Sequence, residues 1–170
     1  MEILFPGLTS TSAVHPMLVH FPIALWVVAL TLWVIAMVRG EDEFFRAGRW
    51  VLYAGSIGAL AAVASGLWAA NEMGHDSPGH DLVHTHRNFM LVATGVGLAT
   101  TVLAFVLRKR ANPSLRWGMV ALLAITVGVT TLGADRGAEL VHRYGIGTKG
   151  ETPPAPPHDD GHGHHHPEEP

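Results

Sequence analysis

Twelve histidines in a 170-residue chain without cysteine are the residues best suited to chemistry. Ten of them fall into three groups and a tail, and His75 and His80 lie in the loop before the second group. The first is His15-Pro16-Met17-Leu18-Val19-His20-Phe21-Pro22, the second Asp81-Leu82-Val83-His84-Thr85-His86-Arg87-Asn88. The third runs from Asp135 through Glu139 and His142 to Tyr144, and the tail carries His158, His162, His164, His165 and His166. Neutral imidazole is a ligand for haem iron, copper and zinc. The missing cysteine excludes, within this chain, disulfides, thiolate-held zinc, iron–sulfur clusters and c-type haem attachment. No nucleophile–base set is legible, so a hydrolase is not expected. A net charge of −3 gives no basic surface for nucleic acid.

The elements that must position these histidines are hydrophobic. Only 15% of residues are charged against 48% hydrophobic, where a soluble domain carries about 25% charged. Four uncharged stretches, about 17–38, 50–70, 89–107 and 117–133, reach the roughly 17–25 residues of a membrane span. Backbone groups in lipid must pair internally, so each is expected as a helix. The fold class predicted is all-α: an integral membrane antiparallel four-helix bundle with a disordered His-rich C-terminal tail. The domains are an N-terminal outer segment 1–14, the four-helix domain 15–148 and a Pro/His-rich tail 149–170.

Charge orients the bundle. Arg39, Arg46 and Arg49 lie in the first loop and Arg108, Lys109, Arg110 and Arg116 in the third, seven of the eleven Lys and Arg. Basic loops stay cytoplasmic. Both termini and loop 71–87 are therefore expected outside the cytoplasm of a bacterial inner membrane, together with every histidine. The N-terminus has no basic n-region, so the first helix is expected to act as its own insertion signal.

His20, alone among apolar neighbours, is an ionisable residue within a span, which by default marks function. Pro22 deprives a helical carbonyl near Leu18 of its donor. The segment is expected either as a kinked start or as an irregular turn before a helix beginning near Pro22. Helices one and three descend from the same face, so His20 and His86 enter at similar depth. Opposed imidazoles on two helices are what b-type haem asks of a bundle. His15 and His142 are expected as hydrogen-bond partners of that site or as a second ligand pair. The segment after helix four could fold as an amphipathic cap over the outer mouth. Met90 reads as core. The small residues Ala54, Gly58, Ala62 and Gly66 read as close helix packing, with a slot for a flat cofactor as the second reading. His75, Asp76, His80 and Asp81 match no zinc spacing. The tail, after the stiff spacer Thr152–Pro157, could collect copper or zinc loosely through His158, His162, His164, His165 and His166.

The residues His15-Pro-Met-Leu-Val-His20-Phe-Pro22, His86-Arg-Asn88 and Gly137-Ala-Glu-Leu-Val-His-Arg-Tyr-Gly145-Ile-Gly147 resemble the DUF2231 family of bacterial membrane proteins, over about 13–148. The resemblance implies a four-helix membrane domain, sometimes beside or fused to redox modules, and through that association electron transfer. His15, His20 and His86 match the family's histidine positions. The closing motif departs from its pattern, with His142 where Tyr is commoner and Tyr144 where His is.

The function expected is a membrane-embedded redox subunit with b-type haem between helices one and three near the periplasmic face. It would relay electrons with a periplasmic redox protein or a larger respiratory complex, more an electron-transfer or accessory subunit than a stand-alone enzyme. The alternatives are a copper- or zinc-handling protein at the same face and a non-catalytic accessory subunit. Membrane lipid is the other expected partner.

Overall fold

The computed structural model describes residues 11–71, 78–109 and 112–146. Four α-helices follow in order: α1 Thr11–Arg39, α2 Asp42–Asn71, α3 His80–Val106 and α4 Pro113–Tyr144. All four are long and apolar enough to cross a membrane. The chain is an all-α four-helix membrane bundle, as expected. The calls on residues 1–10, on His75 and Asp76, and on the tail with its five histidines lie outside the described residues.

The helices overrun the apolar stretches. α1 starts before His15 and carries both Pro16 and Pro22 inside it, so of the two expected forms the helical start is found and the irregular turn before a helix at Pro22 is not. α4 continues to Tyr144, so the segment after Gly133, which could have folded as a cap over the mouth, forms the last turns of that helix. What ends each helix is local chemistry. Gly40, at φ 70°, closes α1 by donating to the Ala36 carbonyl. The Asn112 side chain accepts from the Leu115 N–H, with Pro113 at the first helical position. Gly145, at φ 64°, ends α4 with its N–H on Val141 and that of Ile146 on Leu140, a left-handed cap that glycine adopts without strain.

Neighbours in sequence are neighbours in space: α1 packs on α2, α2 on α3, α3 on α4, and α4 returns to α1. The α1–α2 and α3–α4 contacts are the most extensive, so the molecule is two helical hairpins laid side by side, with α1 and α3 on one diagonal. Glycines on α2 set the first hairpin's spacing. Going along α1, His15, Pro22, Trp26 and Trp33 lie where a Cβ on Gly66, Gly58, Gly55 and Gly48 would stand. Of the stripe Ala54, Gly58, Ala62 and Gly66, the two glycines pack against α1 and Ala62 is buried, while Ala54 is exposed; Gly48 and Gly55 complete the packing surface. In lipid, where no hydrophobic force draws helices together, such close approach supplies the association energy through dispersion and short polar contacts.

The two hairpins are equivalent. Buried positions of the first recur at one constant chain separation in the second: Ala29 and Thr100, Trp33 and Ala104, Leu52 and Leu123, Ala59 and Thr130. Trp26 and Gly97 have the same separation, and they meet across the middle, the indole filling the space that Gly97 leaves. Equivalent residues that touch each other define an approximate two-fold axis along the bundle. Around it lie Trp33, stacked on Phe45 at 4.8 Å and donating to its carbonyl, with Leu52, Met119 and Leu123. Thr100, Thr126 and Thr130 return their hydroxyls to the carbonyl four residues back, and Ser56 bonds Thr101 at 2.7 Å to tie α2 to α3.

Candidate cofactor site between the two hairpins

His15 and His86 have the same chain separation as the other equivalent pairs, and they too meet across the axis. Their ring centroids are 6.5 Å apart and their planes cross at 82°. Each is seated on the partner helix of its own hairpin, in the same way. The His15 ring lies over Gly66, whose Cβ would stand 2.7 Å from its Cε1; the His86 ring lies over Gly137, whose Cβ would stand 3.0 Å from its Cε1. His15 Nδ1 is 3.0 Å from the Ala62 carbonyl and 3.1 Å from Ser65 Oγ, while His86 Nδ1 is 2.7 Å from the Gly133 carbonyl. In both cases the carbonyl comes four residues before the glycine, on the same helical face.

These contacts fix the tautomers. A carbonyl only accepts, so each Nδ1 carries the proton and donates, and the lone pair of each neutral ring is at Nε2. Ser65 donates its own hydroxyl to the Ala62 carbonyl at 2.9 Å and presents a lone pair to His15. An Nδ1–H held by a backbone carbonyl is the usual support of a ligating histidine, because it sets ring direction and raises the basicity of the other nitrogen. Both rings are partly buried. Below them, about eleven residues or roughly 16 Å along α1, Trp26 closes the axis.

The pairing expected between His20 and His86 is not the one formed. His20 is exposed on α1 and its Nδ1 donates to the Pro16 carbonyl of its own helix at 2.6 Å. It faces outward from the bundle because α1 runs as a helix through Pro16 and Pro22, which rotates position 20 away from position 15. His142 is exposed in the last turns of α4. Met90 packs with Phe89 against Gly133, beside the carbonyl that holds His86. Glu139 takes Arg136 and Arg143, each at 3.1 Å, and so knits the end of α4. A second histidine pair lies at the start of α3: His80 Nε2 and His84 Nε2 are 2.9 Å apart, with Arg87 donating to His84 Nδ1 at 2.7 Å. The sequence pattern did not single out Gly137 and Ser65, and it pointed to Gly66 as close packing first and as part of a cofactor slot second. The signal available was the equal spacing of His15 to His86 and of Gly66 to Gly137.

Among the described residues, no group of three or more His, Cys, Asp or Glu side chains is placed to hold a metal ion. The site offers two imidazole nitrogens. Structural zinc takes four protein ligands and catalytic zinc three, whereas haem iron brings four donors of its own and asks the protein for one or two. A metal bonded to both rings at about 2.0–2.1 Å per nitrogen holds their centroids on the order of 6 Å apart. The donor set and its spacing thus fit haem iron better than a bare ion.

An antiparallel bundle of four membrane-spanning helices, with two equivalent histidines meeting on its axis near one end, defines a multi-pass membrane protein with a built polar site. The chain belongs to the DUF2231 family of predicted membrane proteins, which it matches over residues 11–150. No curated protein and no solved structure matches it.

Proposed function

We propose that the chain is a membrane-embedded redox subunit of the bacterial inner membrane. His15 and His86 would hold a b-type haem at the extracytoplasmic end of the bundle. The observation that carries this reading is the symmetry of the pair: two equivalent imidazoles on diagonal helices, each with Nδ1–H tied to a carbonyl and Nε2 left to ligate. The haem supplies a one-electron couple. The protein's residues do the rest: Ala62, Ser65 and Gly133 hold the ring directions, and Gly66 and Gly137 give the rings room. Electrons would pass between a periplasmic redox protein and a larger respiratory complex or the quinone pool.

The test is a reduced-minus-oxidised optical spectrum of the full-length protein, made with ample haem supply and purified in detergent. Sharp bands of six-coordinate b haem are expected, lost in His15→Ala and in His86→Ala and kept in His20→Ala. A featureless spectrum from haem-replete wild type overturns the proposal. Stoichiometric copper or zinc in that colourless protein, lost with His15, would put the metal-handling reading in its place.

A further inference from the structure

At the opposite end from the histidines, α2, α3 and α4 surround a cavity of about 160 Å³. One water needs only about 10–15 Å³ of such space, so the cavity takes a group many times larger. Its walls carry four guanidinium groups, from Arg46, Arg49, Arg108 and Arg116, and one carboxylate, from Asp42. Asp42 is paired with Arg116 and Glu43, beside the cavity, with Arg46, which leaves the charges of Arg49 and Arg108 without a carboxylate in the cavity wall. Arg49 reaches across to the Arg108 carbonyl at 3.5 Å, so α2 and the end of α3 are joined at its rim. Arg116 is stacked 4.9 Å over the Phe45 ring, and its Nε is buried with no hydrogen-bond partner among the described residues. A buried donor on a charged group without an acceptor is costly, by several times the value of an ordinary hydrogen bond. The cost is removed when an anion enters.

The depth of the cavity says which anion. Trp50 and Trp117 are exposed on the flanking turns of α2 and α4, where indoles sit at the level of lipid headgroups. We infer that this cavity is a binding site for the phosphate of an anionic phospholipid, held between α2, α3 and α4 by Arg49, Arg108 and Arg116. Guanidinium forks match phosphate oxygens two at a time, and basic pockets between spanning helices suit acidic headgroups. The lipid would close the α2–α3 side, which packs less extensively than the contacts within each hairpin.

Native mass spectrometry of the full-length protein in mild detergent tests the site, with phosphatidylglycerol, phosphatidylcholine and inorganic phosphate as probes. One phosphatidylglycerol should be retained with about tenfold preference over phosphatidylcholine. The preference should vanish in Arg49→Gln/Arg108→Gln, persist in Arg49→Lys/Arg108→Lys, and be unchanged in Arg39→Gln, which removes a cation paired with Glu41 outside the cavity. The Lys variant keeps the charge and so reads the site even if the Gln variant folds poorly. Equal retention of the two lipids by wild type overturns the proposal, as does a preference that survives in Arg49→Gln/Arg108→Gln. Displacement of phosphatidylglycerol by millimolar inorganic phosphate would reassign the cavity to a free anion and overturn the lipid.

Discussion

An imidazole can ligate only through the nitrogen its neighbours leave alone. At His15 and His86 the neighbours take Nδ1, and they are main-chain carbonyls that no side-chain substitution removes. What substitution can remove is the space. A methyl group at Gly66 would lie 2.7 Å from His15 Cε1, closer than any carbon–carbon contact tolerates. The ring would swing off the Ala62 carbonyl and lose its direction. Gly66→Ala is therefore expected to reduce haem occupancy several-fold while the protein stays folded, since mispositioned ligand shells typically cost about 10–100-fold in affinity. Gly128→Ala makes the matched control, because open space surrounds that position on α4. Absorbance per protein in the two purified variants checks the point. Equal occupancy would mean that the glycine seat has no bearing on ligation.

At the scale of elements, the hairpin interface is set by how closely α1 approaches the α2 backbone. The tightest contact is at Gly48, where a Cβ would stand 2.6 Å from Trp33 Cδ1 and 3.1 Å from the Ala29 carbonyl. Trp33 is fully buried, stacked on Phe45 and bonded to its carbonyl, so it cannot move aside. Gly48→Ala is expected to destabilise the bundle by about 1–3 kcal/mol, seen as a lower thermal midpoint in detergent. Gly95→Ala on α3, with nothing near it, should leave the midpoint unchanged or higher, because alanine is the better helix former by about 1 kcal/mol. Equal midpoints for both would show that the α1–α2 contact yields more than its geometry implies. The helices themselves were legible in the sequence, since twenty uncharged residues in a row admit few other structures. Their rotation was not. Hydropathy that is apolar on every side carries no information about which face points inward, and so His20 was the expected ligand and His15 only its partner or a member of a second pair. Helix ends were legible only in part: the prolines around His15 and the polar residues from Asp135 to Tyr144 leave open a turn or a separate amphipathic helix, yet both segments continue the helical hydrogen bonding of α1 and α4.

For the whole molecule, the two ends of the bundle differ in chemistry, and that difference decides how it sits in the membrane. One end carries the histidine pairs with Asp81, Asp135 and Glu139 and three arginines, Arg87, Arg136 and Arg143; the other carries six basic residues, Arg39, Arg46, Arg49, Arg108, Lys109 and Arg116, with Glu41, Asp42 and Glu43. Exposed indoles mark both boundaries, Trp68 towards the histidines and Trp50 with Trp117 towards the arginines. Each charged head at the arginine end would have to cross the hydrocarbon core for the chain to insert the other way, at about 2.5–3.5 kcal/mol apiece on insertion scales. The arginine end is accordingly expected in the cytoplasm, which would put His15 and His86, the proposed haem ligands, within reach of a periplasmic donor and the arginine cavity against the leaflet that faces the cytoplasm. The absence of native cysteine makes this directly measurable. In intact spheroplasts, a membrane-impermeant maleimide should label Asp81→Cys and leave Lys109→Cys unlabelled until the membrane is permeabilised. The reverse pattern would place the histidines in the cytoplasm and require a cytoplasmic electron donor. Equal labelling of both would mean a mixture of orientations, which so uneven a charge distribution between two equivalent hairpins does not predict.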